Sequence, residues 1–361
     1  HGLWIDSKSY LHVVSRGSAD SYNCIAVEPS LIFGSTPEDT LTDADISNAN
    51  NILIYGNYAF IPSYSGNKLV ALDISDITNI SKADSVGHAS MTGPTGVSIG
   101  YVDVDLATYA FVSCYSSDAI IAVNINDPTD LSVGGTRVSG TYLNGAYDCC
   151  VDNPADAWRL FVACYDGNGL SVYTADSVMT YVNSVTGSGG TNGHYLGGAR
   201  GICCFGGGKY VAVVAKTDDN CGIYGVDGVD SSNPPILIKN FQGPSAPTYM
   251  DGPEAICVSV DGNHLYVACR DGDYVVQINV EDPNSPYISS VIAGAINKLN
   301  GVIRIRAREI HGDEYIIVGS WDDGSIVVLK KSDFSRANIV GVKSLQGKLK
   351  KRNAFEEWED L

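Results

Sequence analysis

Leu160-Phe-Val-Ala-Cys-Tyr165 and Leu265-Tyr-Val-Ala-Cys-Arg270 are two copies of one pattern, and five more copies can be stacked on them. They are Leu11-His-Val-Val-Ser-Arg16, Ala59-Phe-Ile-Pro-Ser-Tyr64, Ala110-Phe-Val-Ser-Cys-Tyr115, Val211-Ala-Val-Val-Ala-Lys216 and Ile316-Ile-Val-Gly-Ser-Trp321. The fifth residue is always small: Ser15, Ser63, Cys114, Cys164, Ala215, Cys269 and Ser320. These positions are 48, 51, 50, 51, 54 and 51 residues apart, so both size and spacing hold through seven copies. Such a period is the mark of a repeat architecture and overrides any domain count taken from length.

Each copy is followed by a Gly/Asp/Asn turn and a second apolar run, as in Leu69-Val-Ala-Leu-Asp-Ile-Ser75 and Val275-Val-Gln-Ile-Asn-Val-Glu281. The two runs make a hairpin. A Pro/Asn/Asp break and a more polar outer run follow, such as Tyr287-Ile-Ser-Ser-Val-Ile292. Before each hairpin lies a short run with small residues: Gly96-Val-Ser-Ile99, Gly201-Ile-Cys-Cys204, Ala255-Ile-Cys-Val258 and Gly301-Val-Ile-Arg304. Small residues there fit crowding near an axis. Four strands per unit, seven times, predict an all-β seven-bladed β-propeller of four-stranded antiparallel blades over residues 1–344. Helical periodicity, which a helical solenoid requires, is absent. Every blade reads as contiguous in sequence, with no spare strand for closure.

The stretches Leu69-Val-Ala-Leu-Asp-Ile-Ser-Asp76, Ile121-Ala-Val-Asn-Ile-Asn-Asp-Pro128 and Val276-Gln-Ile-Asn-Val-Glu-Asp-Pro-Asn-Ser-Pro286 resemble LVIVD repeats. Asp261-Gly-Asn-His-Leu-Tyr-Val-Ala268 resembles the related YVTN repeat. The resemblance implies a propeller. It implies no single activity, because no catalytic motif travels with these repeats.

Composition supports a packed β-protein: 44% hydrophobic, 18% charged, 39 glycines and 21 tyrosines in 361 residues. Acidic residues number 41 against 23 basic, a net charge of −18, which repels nucleic acid and anionic membranes and favours solubility or cationic partners. No apolar run approaches the ~20 residues of a membrane span. No secretion signal is visible, and the chain starts at His1 rather than Met, which leaves compartment open. The ten cysteines lack metal-ligand spacing and mostly fall inside apolar strands; they read as buried core thiols, a pattern that leans toward a reducing compartment. No cofactor or metal site is expected. Repeated turn acids such as Asp271-Gly-Asp273 fit ordinary turn chemistry better than calcium binding.

Two rings of residues should face the channel mouth, because an inner strand's start and the second strand's end are adjacent in an antiparallel pair. The residues before the inner strands are His1, Asn50, Thr95, Tyr147, Arg200, Glu254 and Asn300. Those ending the second strands are Arg16, Tyr64, Tyr115, Tyr165, Lys216, Arg270 and Trp321. Aromatics here would stack on a sugar or planar ligand, and Arg200, Arg270 and Lys216 would hold an anion. Tyr and basic residues are also ordinary at strand ends facing solvent, and Arg200 with Glu254 reads equally as an ion pair. His88 and His194, on loops leading into inner strands, are candidates to meet across the mouth.

Residues 345–361 leave the repeat. Lys348, Lys350, Lys351 and Arg352 form a basic run, and Asn353-Ala-Phe-Glu356 resembles a capping box. Phe355, Trp358 and Leu361 fall near one face of a short amphipathic helix that would dock on the propeller or on a protein partner. No P-loop, GxSxG elbow or haem motif is present. The expected function is therefore a non-catalytic interaction or structural propeller, a component of a larger assembly of cell-surface or virion type. The alternatives are a lactonase-like hydrolase or a glycan binder working at the mouth.

Overall fold

The computed structural model describes residues 2–5, 10–15, 21–26, 39–102, 105–134, 137–152, 158–243, 249–293, 299–310, 312–322, 325–335 and 343–346. Seven antiparallel sheets are arranged as the blades of a propeller. Blade 4 shows the plan, running outward from the axis through Ala146–Asp152, Arg159–Cys164, Gly169–Thr174 and Tyr181–Thr186. Blades 1, 2, 5, 6 and 7 repeat it. In blade 3 the outer strand is split into Ser132–Val133 and Val138–Ser139, both paired with Ala119–Asn124. Each blade uses consecutive strands only, as the repeat implied. The seventh outer strand is Lys343–Gln346, ending two residues beyond the limit of 344 expected for the repeat.

The middle strands are buried along most of their length, and that explains their continuous apolar runs. Blades stack face to face, so both sides of a middle strand are covered and the period-2 alternation disappears. Ala107–Cys114 and Arg159–Cys164 are buried at every position, whereas the outer strand Ser81–Gly87 is half to fully exposed. The cores lie between neighbouring blades. Phe111 packs with Leu160, Val162 and Tyr173 of the next blade, and Phe161 with Val211 and Tyr224 of the one after. Full burial of such a side chain contributes about 1.5–3 kcal/mol. The small fifth residues are buried wherever their side chains are described: Ser63, Cys114, Cys164, Ala215, Cys269 and Ser320.

A repeated clamp joins successive blades at the mouth face. The turn between the second and third strands holds a residue at positive φ: Asn67, Asp118, Asn168, Asp219 or Asp273. Its side-chain Oδ1 accepts the backbone N–H of Gly93, Gly145, Gly198, Gly252 or Gly301 in the next blade, at 2.7–3.0 Å. Those glycines also sit at positive φ, where other residues are strained. Their carbonyls accept from Tyr115, Tyr165, Lys216, Arg270 and Trp321, which fixes the end of each second strand. Asp118, Asp219 and Asp273 therefore serve as acceptors between blades.

One expectation about cysteine is corrected. Cys150 and Cys204, on the inner strands of blades 4 and 5, form a disulfide with Cα atoms 6.3 Å apart. Inner strands converge toward the axis, and that brings together positions 54 residues apart in sequence. The other eight cysteines are free, and all but half-buried Cys203 are buried.

Candidate functional site at the channel mouth

Five inner strands carry a register irregularity just after they begin. A β-bulge turns a side chain out of the ladder. In blades 3 to 6 the residues in the irregularity are Thr95, Tyr147, Arg200 with Gly201, and Glu254. In blade 7 it is Ile303, three places later than Asn300, because Gly301 matches the clamp glycines rather than Gly96 and Gly201. The ring is therefore legible in four blades and misaligned in the seventh.

Blades 3 to 6 bring most of the expected residues together. Tyr115, Tyr147 and Tyr165 have ring centroids 6.0–6.1 Å apart. The Arg200 guanidinium lies 4.6 Å from the Tyr147 ring centroid and 5.4 Å from that of Tyr165, within cation–π range. Arg200 also pairs with Glu254, which is 3% exposed. Lys216 Nζ reaches the same carboxylate at 2.7 Å, and Arg270 stands 3.9 Å away. A buried carboxylate requires such compensation. Burial, aided by Asp166, pushes the Tyr115 phenol up to about 12. Thr95 is turned aside and donates to the Tyr147 carbonyl at 2.6 Å.

Other candidates make separate contacts. Tyr64 bonds Ser116 at 3.2 Å, and Trp321 is 41% exposed. His194 stacks on Tyr224, with Nδ1 3.4 Å from the hydroxyl, while His88 Nδ1 accepts the N–H of Ser90. The two histidines are each engaged locally and do not meet. His1, Arg16, Phe355, Trp358 and Leu361 fall outside the described residues. Among the described residues no three His, Cys, Asp or Glu side chains converge as a metal site would need.

Below the mouth is a narrow, partly open cleft with room for a water-sized group, which sequence reasoning missed. Asp148, Arg304 and Arg306 line it together with Arg200 and Glu254. Asp148 follows the bulge of blade 4, and Arg304 occupies the equivalent place in blade 7, where blades 3 and 6 have Gly96 and Ala255. Burial pushes Asp148 up to about 6, although Arg306 and Arg304 pull the other way. The available signal was the alternation Arg304, Arg306, Arg308 in one inner strand, hidden by the shifted alignment of Gly301.

No protein-family model matches the chain, and no curated protein does, so the LVIVD and YVTN resemblance stays a likeness of pattern. Solved structures do match its fold. A periplasmic gluconolactonase, PpgL, from Pseudomonas aeruginosa superposes with a TM-score of 0.71 at 13% identity, covering 97% of this chain and 94% of that one. A functionally unknown protein from Desulfotomaculum acetoxidans gives 0.68 at 11% identity, over 96% and 98%. A putative 6-phosphogluconolactonase from Bacteroides fragilis gives 0.62 at 14%, over 81% and 83%. At these identities the fold alone is shared. The protein is a seven-bladed β-propeller.

Proposed function

We propose that the protein is a non-catalytic interaction propeller, a component of a larger assembly, and that it docks through the face opposite the channel mouth. The observation that carries this is where its exposed apolar residues lie. Of the ten large exposed hydrophobic residues described, Tyr55, Tyr101, Leu106, Val178, Ile236, Val260 and Tyr287 stand at the strand ends and turns of that lower face. Leu106 is 75% exposed and Ile236 69%. Tyr142 and Tyr181 instead stack on each other, at 4.2 Å between centroids.

The chemistry of the partner follows from the turns between. Asp76, Asp127 and Asp230 sit on the same face in turns between third and outer strands. Bonds from Thr78 and Thr129 hold Asp76 and Asp127 below the usual carboxylate range; bonds from Ser232 and Asn233 do the same for Asp230. An acidic face studded with apolar residues suits a cationic, partly apolar protein surface. At the mouth, by contrast, Glu254 is shared among three cations and is not free to act as a base. The tail residues Phe355, Trp358 and Leu361 remain a second anchor in this reading.

Hydroxyl-radical footprinting of the protein within its native assembly should show Tyr101 and Tyr287 protected relative to the isolated chain. The double variant Leu106→Asp, Ile236→Asp should leave the assembly while keeping the Tm of the parent. Native material that sediments as a monomer with both tyrosines unprotected would sink the proposal. Deleting residues 348–361 tests the tail separately.

A further inference from the structure

The channel holds more positive charge than it neutralises. Arg200, Arg304 and Arg306 line the cleft against Asp148 and Glu254, three cations to two acids, inside a chain whose net charge is −18. Glu254 is already committed to Arg200, Lys216 and Arg270. Arg304 donates through Nε and Nη2 to the Asn50 carbonyl at 3.1 and 2.8 Å, and through Nη1 to the Ile303 carbonyl at 2.9 Å. Arg306 donates to the Ile305 carbonyl at 2.9 Å and to Asn51 Oδ1 at 3.1 Å. These acceptors orient both guanidinium groups and neutralise neither. Among the described residues neither arginine has an acidic oxygen within 4.0 Å.

Each guanidinium carries five N–H donors, so both retain unused ones. Arg200 Nε is also buried without a partner. Burying such charge uncompensated is costly, and the cost disappears when an anion shares the site.

We infer that the channel is an anion-binding site, in which a compact oxyanion, the phosphate or carboxylate group of one small molecule, sits between Arg304 and Arg306. Asp148 faces the same space and, when protonated, donates a hydrogen bond to the bound group. The cleft is narrow, so only the compact anionic head of such a molecule would enter it, with the remainder at its opening. This site lies beneath the mouth and is independent of docking by the lower face.

Titration calorimetry at constant ionic strength tests it with inorganic phosphate, gluconate and chloride. Saturable binding of phosphate or gluconate, with chloride inert, is expected, and the better binder identifies the group. Arg306→Gln and Arg304→Gln should each weaken that binding at least tenfold, while Lys239→Gln on the exposed surface leaves it unchanged. Should the arginine variants fail to fold, crystals of the parent soaked in tungstate should show an anomalous peak between the two arginines. Absence of saturable binding, equal effects of chloride, unchanged affinity in folded variants, or a peak on the surface alone would overturn the inference.

Discussion

At the scale of single residues, the channel is governed by what stands just after each inner-strand bulge. Gly96 allows a close approach: a Cβ there would come 2.5 Å from Asp148 Oδ1 and 2.8 Å from its Cα. Asp148 is thus packed against backbone and removed from water. Its carboxyl titrates near 6 in the folded protein, against an ordinary value of 3.8. Between those values the folded chain binds more protons than the unfolded one, so stability falls as pH rises through that window. Asp45 and Asp261 act oppositely. Bonds from Lys68 and Lys82 hold Asp45 well below the usual range, and bonds from Lys331 and Ser259 do so for Asp261 against the pull of burial. Their contribution is lost as pH falls. Denaturant titrations from pH 4 to pH 7 should therefore show declining stability for the parent and a flatter line for Asp148→Asn. Parallel curves for the two proteins would contradict this account of the channel.

At the scale of elements, local chemistry and long-range pairing divide the work. The hairpins were legible because two apolar runs around an Asx/Gly turn can do little else. The clamps were half legible: Gly/Asp/Asn turns after each copy were expected, but their positive φ and their bonds to the next blade's glycine were not. Misplacing Gly301 in the alignment cost the most. It put Asn300 on the mouth ring and hid Arg304 and Arg306, because a glycine used for positive φ looks the same in sequence as one used for closeness. The Cys150–Cys204 disulfide belongs to this scale too. Thiol titration of the denatured, unreduced protein should find eight free thiols, rising to ten on reduction. Closing a loop of this length stabilises by about 4 kcal/mol in the chain-entropy model, so Cys150→Ala should lower stability by roughly 2–4 kcal/mol. Ten thiols before reduction would refute the pairing.

At the scale of the molecule, each apolar core bridges two neighbouring blades, so cohesion passes from blade to blade around the ring. Inner strands of blades 1 and 7 touch, and Arg304 and Arg306 reach from blade 7 to Asn50 and Asn51, which lead into blade 2. Among the described residues, closure thus rests on packing and these bonds, with each blade built from its own consecutive strands. It follows that a circular permutant of residues 2–346, cut between Gly87 and Pro94, should still fold cooperatively. Calorimetry showing an uncooperative or absent transition would disprove closure by packing alone.

The sequence by itself determined the blade count, the order of strands and the ring of small buried residues. Those follow from periodicity and from turn chemistry, which act over a few residues. Only the tertiary structure decided which side chains share the channel, which cysteines pair and which face collects the exposed apolar residues. The ring brings together positions fifty to two hundred and fifty residues apart, and a one-dimensional pattern carries no record of which of them will share an axis.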